Sequence, residues 1–159
     1  MIISSKSFDN NGMIPQKHTG FGEDVSPEFT IVDRPANTVS LAIILDDLDV
    51  PLCKEFSHWI IWNISPHAKL IPGGLPSGDI LTFPIRAVQG NAWGKHVYRG
   101  PKQPPFIHKA HRYRFTAYAL DTMLDIPADS NKNTLIKAMA SHIIEKAELI
   151  GIYDPANKT

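Results

Sequence analysis

Two nearly unbroken apolar runs stand near the middle of the chain, Val39-Ser40-Leu41-Ala42-Ile43-Ile44-Leu45 and Trp59-Ile60-Ile61-Trp62-Asn63-Ile64. β-Branched and aromatic residues dominate both and glycine is absent, so both are predicted strands. His111-Arg112-Tyr113-Arg114-Phe115-Thr116-Ala117-Tyr118-Ala119-Leu120 alternates with a period of two. As a strand it places His111, Tyr113, Phe115 and Ala117 on one face and Arg112, Arg114, Thr116 and Tyr118 on the other. Shorter strands are expected around Ile2-Ile3, at Glu28 to Val32, at Ile80 to Phe83 and at Ile85 to Val88. The turn Asp33-Arg34-Pro35-Ala36-Asn37 joins Glu28–Val32 so closely to the first long run that the two are expected to pair antiparallel.

Only one stretch has helical spacing. Leu135, Ala138, Met139, His142, Ile143, Ala147 and Ile150 recur at three- and four-residue steps, which predicts a helix from about Thr134 to Ile150. Asn131 or Asn133 suits its start and Gly151 its stop, and His142, on the apolar stripe, reads as a core or interface residue. Asn10-Asn11-Gly12 marks a turn. Ile71–Gly78 and Tyr98–Pro105 are too rich in proline and glycine for regular structure, and the second is expected to be a stiff, exposed loop. The expected fold is mainly β: an antiparallel β-sandwich with a C-terminal amphipathic helix, as one domain over residues 1–159.

Composition narrows the partners. Sixteen basic residues balance sixteen acidic ones, so no positive excess favours nucleic acid or an anionic membrane surface. No apolar run approaches the roughly 20 residues that cross a bilayer, and the N-terminus lacks the features of a signal peptide. A soluble, cytoplasmic protein is expected. Cys53 is the single cysteine, so no internal disulfide forms; only Lys54 stands near to activate the thiol, and an inert cysteine is expected.

The candidate chemistry lies between the two long apolar runs, where Asp47-Leu48-Asp49-Val50-Pro51 is followed by His58-Trp59. An extended backbone puts Asp47 and Asp49 on one side, where each wants a histidine, an arginine, backbone N–H groups, a metal or water as partner. A solvated acidic turn is the plain alternative. His58 opens a strand. His111 shares a face with Tyr113, whose hydroxyl is a donor. Trp59 and Trp62 read as packing residues. No Gly-x-Ser-x-Gly, His-Glu-x-x-His, Cys-x-x-Cys, P-loop or Gly-x-Gly-x-x-Gly signature is present, so no metal or cofactor is expected. A small anion held by histidines, a tyrosine hydroxyl and loop N–H groups needs the least added machinery.

At these residues the chain resembles the phosphatidylethanolamine-binding proteins, also called the Raf kinase inhibitor proteins, and in particular their short bacterial and archaeal branch. The resemblance is carried by Asp47-Leu48-Asp49-Val50-Pro51 with His58-Trp59, by Tyr98-Arg99-Gly100-Pro101 through Pro104-Pro105, and by His111-Arg112-Tyr113. Asp24-Val25-Ser26-Pro27, Asn63-Ile64, Gly90-Asn91-Ala92-Trp93-Gly94, Tyr118-Ala119-Leu120-Asp121 and Ala147 through Tyr153 support it in the family's order. It implies a β-sandwich with a pocket for phosphate, acetate or a phosphorylated head group, lined by Asp47, Pro51, His58, His111 and Tyr113 with the Gly100-Pro101 loop. Asp49 joins the expected ligand-binding set through its place in the motif. The resemblance also implies a cis Val50–Pro51 bond. Leu48 stands where the family usually has proline, and Phe106–Ala110 replaces a shorter link, so the pocket mouth is expected to differ in shape.

The expected function is therefore binding of a small anionic or phosphorylated ligand, with protonated His58 or His111 supplying charge, Tyr113 a donor, and Asp47 and Asp49 orienting the imidazoles. Some eukaryotic members inhibit kinases and prokaryotic members are often dimers, which extends the expectation to a regulatory role and a homodimer. The alternative is a hydrolase or isomerase using His58, His111 and Asp47 for acid-base chemistry, for which no activated attacking group is found.

Overall fold

The computed structural model describes residues 1–157. Strands β1 (Ile2–Ser4), β2 (Gly12–Met13), β3 (Phe29–Val32), β4 (Ser40–Asp47), β5 (Phe56–Ile64), β6 (Leu70–Ile71), β7 (Ile80–Leu81), β8 (Ala87–Gln89), β9 (His111–Leu120) and β10 (Ile143–Tyr153), with helix α1 (Lys132–Met139), form a mainly β fold. A three-stranded sheet, β1-β3-β6, faces a seven-stranded sheet, β2-β10-β9-β4-β5-β8-β7. Neighbouring strands are antiparallel except β2 against β10, which is parallel.

Strand β4 explains the first apolar run. All eight of its residues are buried, because both faces of the large sheet are covered. Leu41, Ile43 and Leu45 point into the core between the sheets, where they join Phe29, Ile31, Trp59 and Phe115. Ala42 and Ile44 point the other way, against Ile60, Trp62, Leu135 and Met139, the last two brought by α1. A strand covered on both faces reads as a continuous apolar run rather than an alternating one.

Three expectations about the framework are corrected. First, β3 does not pair with β4. It pairs with β1 and β6, while β4 lies between β5 and β9, so the Asp33–Asn37 turn carries the chain from one sheet to the other. Second, the helix is eight residues long and ends at Met139. Its cap is the expected Asn131, whose Oδ1 accepts from the Thr134 backbone N–H at 3.1 Å. Beyond it, residues 143–153 form β10, which pairs antiparallel with β9 from Ile143↔Leu120 to Tyr153↔His111. The same residues carry two periods: Ala147, Leu149, Gly151 and Tyr153 fall at two-residue steps. Isoleucines 143, 144, 150 and 152 lose side-chain freedom in a helix, and the long β9 leaves a row of backbone groups needing partners. Third, His142 is neither on the helix nor in the core: it lies half-exposed in the turn after α1, with Nδ1 donating to Asp121 Oδ1 at 2.7 Å.

Gly151 is a strand residue rather than a helix stop. A Cβ built there would lie 2.5 Å from Ile14 Cγ1 and 2.9 Å from the Phe8 ring, so the glycine lets the N-terminal segment close over β10. Gly151→Ala is expected to destabilise the fold by about 1–3 kcal/mol through overpacking. In urea titrations this appears as a lower midpoint with an unchanged slope.

Candidate functional site

Strand register brings the acidic motif to the His-Arg-Tyr motif. Asp47, the last residue of β4, stands opposite Tyr113 of β9 and Phe56 of β5. Directly opposed residues project from the same face of a sheet, and His111, two residues before Tyr113 in β9, shares that face. The β4–β5 ladder runs Leu45↔Trp59 and then Asp46↔Ser57, so His58 is an extra residue without a partner. Such a bulge re-aims a side chain. Here it turns the imidazole against Tyr113, ring centroids 5.4 Å apart and planes at 86°.

Each polar group in this cluster has a distinct partner. Asp47 Oδ2 accepts from His111 Nδ1 at 2.8 Å, with both side chains about 95% buried. Asp47 Oδ1 accepts from the Asp49 backbone N–H at 2.9 Å. His58 Nδ1 donates to the Arg99 carbonyl at 3.0 Å. Since a carbonyl only accepts, that hydrogen bond puts the hydrogen of a neutral His58 on Nδ1 and leaves Nε2 with its lone pair. Asp49 does not serve an imidazole. It takes the Arg112 guanidinium in a bidentate pair, at 2.8 and 2.9 Å, and the Arg112 backbone N–H at 2.8 Å.

Together these residues enclose a cavity of about 210 Å³ lined by Asp47, Val50, Pro51, Phe56, His58, Trp93, Lys102, Gln103, Pro104, Ile107, His111 and Tyr113. Five of the eight expected site residues, Asp47, Pro51, His58, His111 and Tyr113, are in its wall. Asp49 lies outside, in a neighbouring cleft with Pro51 and Phe106–His111. Gly100 and Pro101 do not line it either, although the Gly100 backbone flanks the His58 ring. They are buried against an N-terminal segment: Gly100 N–H donates to Asp24 Oδ1 at 2.7 Å, Gly20 N–H to the Pro101 carbonyl at 2.9 Å, and Tyr98 Oη to the His18 carbonyl at 2.8 Å. The loop expected to be exposed is thus half buried, with Tyr98, Gly100, Pro101 and Gln103 inside and Pro104 and Pro105 outside. Val50–Pro51 is trans; among the described residues the cis bond is Phe83–Pro84.

Sequence reasoning missed the outer wall. Trp93 packs edge-on against both Phe56, at 5.1 Å, and His58, at 5.7 Å, with the Arg99 guanidinium 4.1 Å from its ring centre. Its backbone is left-handed, φ 55°. Nothing in the Gly90–Gly94 segment points to this beyond an isolated tryptophan in a glycine-bounded loop. Lys102 and Gln103 carried no signal beyond their place in the Pro-rich loop.

The electrostatics also differ from expectation. Burial pushes the His58 imidazole below its ordinary value, outweighing the Arg99 carbonyl and Asp47, so His58 is neutral at pH 7 rather than a standing positive charge. Burial, with the Asp47 charge second, pushes the Tyr113 hydroxyl far above its ordinary value and keeps it a donor. The Arg112 hydrogen bonds hold the Asp49 carboxyl below the usual range. No group of three or more histidine, cysteine, aspartate or glutamate side chains is arranged to hold a metal ion among the described residues. No helix there is long and apolar enough to cross a membrane.

Two packed sheets with a mainly apolar cavity, into whose wall a few polar side chains are set, where β4, β5 and β9 meet the loops define a β-sandwich protein with a recess at the sheet rim. The family profile of the phosphatidylethanolamine-binding proteins matches residues 4–154, and the chain belongs to that family. Among curated relatives, a UPF0098 protein of Pyrococcus horikoshii is 42% identical over 151 residues, covering 94% of this chain and 75% of that one. A UPF0098 protein of Pyrococcus abyssi is 43% identical over 155 residues, covering 97% and 85%. The crystal structure of a phosphatidylethanolamine-binding protein homologue from Chlamydia trachomatis matches with a TM-score of 0.85 at 35% identity, over 96% of each chain. That of Escherichia coli YbcL, a member of the same family, matches with a TM-score of 0.82 at 28% identity, also over 96% of each.

Burial lowers the His18 imidazole as well as that of His58. Unfolded histidines take up protons near pH 6.5, while these two do so only at lower pH when folded. Stability is therefore expected to fall as pH drops below about 6.5. Urea titrations between pH 7.5 and 5 are expected to show a shallower decline in His58→Gln than in the wild type.

Proposed function

We propose that the chain binds a small anion or phosphorylated ligand in the cavity between His58, His111 and Tyr113, as a binding protein of the phosphatidylethanolamine-binding type. The observation that carries the reading is the convergence of two imidazoles and a tyrosine hydroxyl on one small recess, beside a carboxylate that fixes one of the rings. Tyr113 supplies a donor, and its raised pKa keeps the hydrogen in place. Lys102 and Arg99 supply positive charge at the wall and behind Trp93. Asp47 holds His111 through Nδ1, which directs that ring's Nε2 away from the carboxylate.

His58 sets a condition on the ligand. With its hydrogen on Nδ1, its Nε2 accepts rather than donates. An anion oxygen meets that lone pair favourably only when a hydrogen lies between them, so binding brings a proton with the ligand or draws one from solvent. Calorimetry at pH 7 in buffers of different ionisation enthalpy is expected to show net proton uptake, reduced in His58→Ala.

A buried Asp–His pair beside a second, neutral histidine is also what general base catalysis uses, and this observation favours the second reading, a hydrolase or isomerase. The cavity wall holds no serine, threonine or cysteine, so that chemistry would have to run through water or proton transfer alone.

The direct test is thermal melting with inorganic phosphate and with phosphoethanolamine, on the wild type, His58→Ala and His111→Ala. At a ligand concentration of about 100 times Kd, the wild type is expected to gain about 2.7 kcal/mol, a rise of roughly 5–10 °C for a chain of this size. Both variants are expected to lose most of it. Equal shifts in all three proteins reject the cavity as the site.

A further inference from the structure

Gln103 is buried, 6% exposed, and both ends of its carboxamide, Oε1 and Nε2, lack a hydrogen-bond partner among the described residues. Native folds seldom keep such a group, and each instance asks for a reason. The other unpartnered buried atoms do not answer to this cavity. Glu28 Oε1 has the Lys6 ammonium 3.5 Å away. Arg114 satisfies Glu55 through Nη2 at 2.8 Å, leaving only its Nε over. Trp62 lies in the core beneath α1, away from the cavity. Gln103 alone combines a fully unpaired side chain with a place in a cavity wall.

Its position is specific. Gln103 lines the inner cavity of about 210 Å³ and also an outer groove of about 700 Å³ that holds Phe21, Pro105 and Tyr153. Trp93, Lys102, Pro104 and Ile107 are shared by both too, but all are exposed or half-exposed. A ligand with its oxyanion in the inner cavity and its remainder leaving by the groove passes Gln103 on the way out.

The carboxamide has two N–H donors and a carbonyl acceptor. An oxyanion whose proton lies toward His58 offers Gln103 acceptors only, so it satisfies Nε2 and leaves Oε1 unpaired. A hydroxyl or an amide both donates and accepts, and so satisfies both ends. We propose that Gln103 is the specificity residue of this cavity, reading a hydroxyl or amide that the ligand carries beside its oxyanion. The inference rests on the anion-binding reading of the same cavity and narrows the ligand class to small oxyanions bearing such a neighbouring group.

The test is calorimetric titration of the wild type and Gln103→Met with inorganic phosphate, glycerol 3-phosphate and propyl phosphate. The last two share a three-carbon chain and differ in the hydroxyls. The wild type is expected to bind glycerol 3-phosphate about fivefold more tightly than propyl phosphate, the scale of one net hydrogen bond. Gln103→Met, similar in length and without the amide, is expected to erase that preference, weakening phosphate and propyl phosphate by no more than the single bond to Nε2, about fivefold, and glycerol 3-phosphate by more. Ligand-free, the variant is expected to melt at a higher temperature, since the unpaired amide is gone. No preference in the wild type, its retention in Gln103→Met, equal weakening of all three ligands, or a lower ligand-free melting temperature would each overturn the assignment. A wild type that binds none of the three brings down the anion reading itself, whereas phosphate binding without the preference removes only the role of Gln103.

Discussion

The charge on Asp47 is the constraint around which the rim of the sheet is arranged. A carboxylate 3% exposed among Phe56, Tyr113 and His58 is tolerable only with its oxygens satisfied. Oδ2 takes the His111 Nδ1 hydrogen and Oδ1 the Asp49 backbone N–H. The first contact orients the imidazole of His111, and the second folds the chain into the turn after β4. That turn carries Pro51 into the cavity wall and lets Asp49 clamp Arg112, so β4 and β9 are cross-linked by side chains beyond their ladder. The preceding residue does the reverse. Alternation points Asp46 to the opposite face, where Lys132 at the start of α1 meets it at 2.7 Å and Arg114 at 3.5 Å. Burial pushes the Asp46 carboxyl up and Lys132 pulls it back. Two adjacent acids thus anchor the cavity on one side of the sheet and the helix on the other.

The strands that build this rim were legible because their periodicity left little choice. β9 alternates without interruption, and its expected ends coincide with the observed ones. β4 and β5 were found as apolar runs, but the expected β4 ended too early and the expected β5 started too late. Asp46 and Asp47 continue β4, and Phe56 and Ser57 begin β5 ahead of His58; polar strand ends at a rim look like loop when hydrophobicity is the guide. The long C-terminal helix failed for a different reason. Residues 143–153 satisfy helical and extended periods together, and only the presence of β9, which lies more than twenty residues earlier, decides between them. Pairing between the short strand β3 and β4 was inferred from proximity in sequence, whereas the short β1 and β6 supply its partners.

Within the site, the residues that touch Asp47 were found and those that face them were not. His58, His111 and Tyr113 stand in dense motifs whose chemistry is conspicuous. Trp93 and Gln103 reach the cavity only because the Gly90–Gly94 and Pro101–Pro105 loops fold over it, and local patterns contain no trace of that. The charge state of His58 was equally hidden. A histidine beside two aspartates reads as protonated, but its Nδ1 is turned to a carbonyl and burial outweighs the distant carboxylate.

The straps behind the Pro-rich loop bear on how the protein acquires its recess. Gly100 meets Asp24, Pro101 meets Gly20 and Tyr98 meets His18, contacts between segments about eighty residues apart. Bringing such distant segments together costs chain entropy that local pairing does not. The β4–β9 ladder is as distant, with Ser40 opposite Leu120, so the wall that these straps support, like the sheet behind it, closes only when both halves of the chain have come together. Recognition of a ligand then depends on the finished tertiary fold rather than on any prefolded hairpin. A lesion near residues 18–24, none of which except Phe21 in the outer groove meets either cavity, would loosen the recess from behind and present as a binding defect.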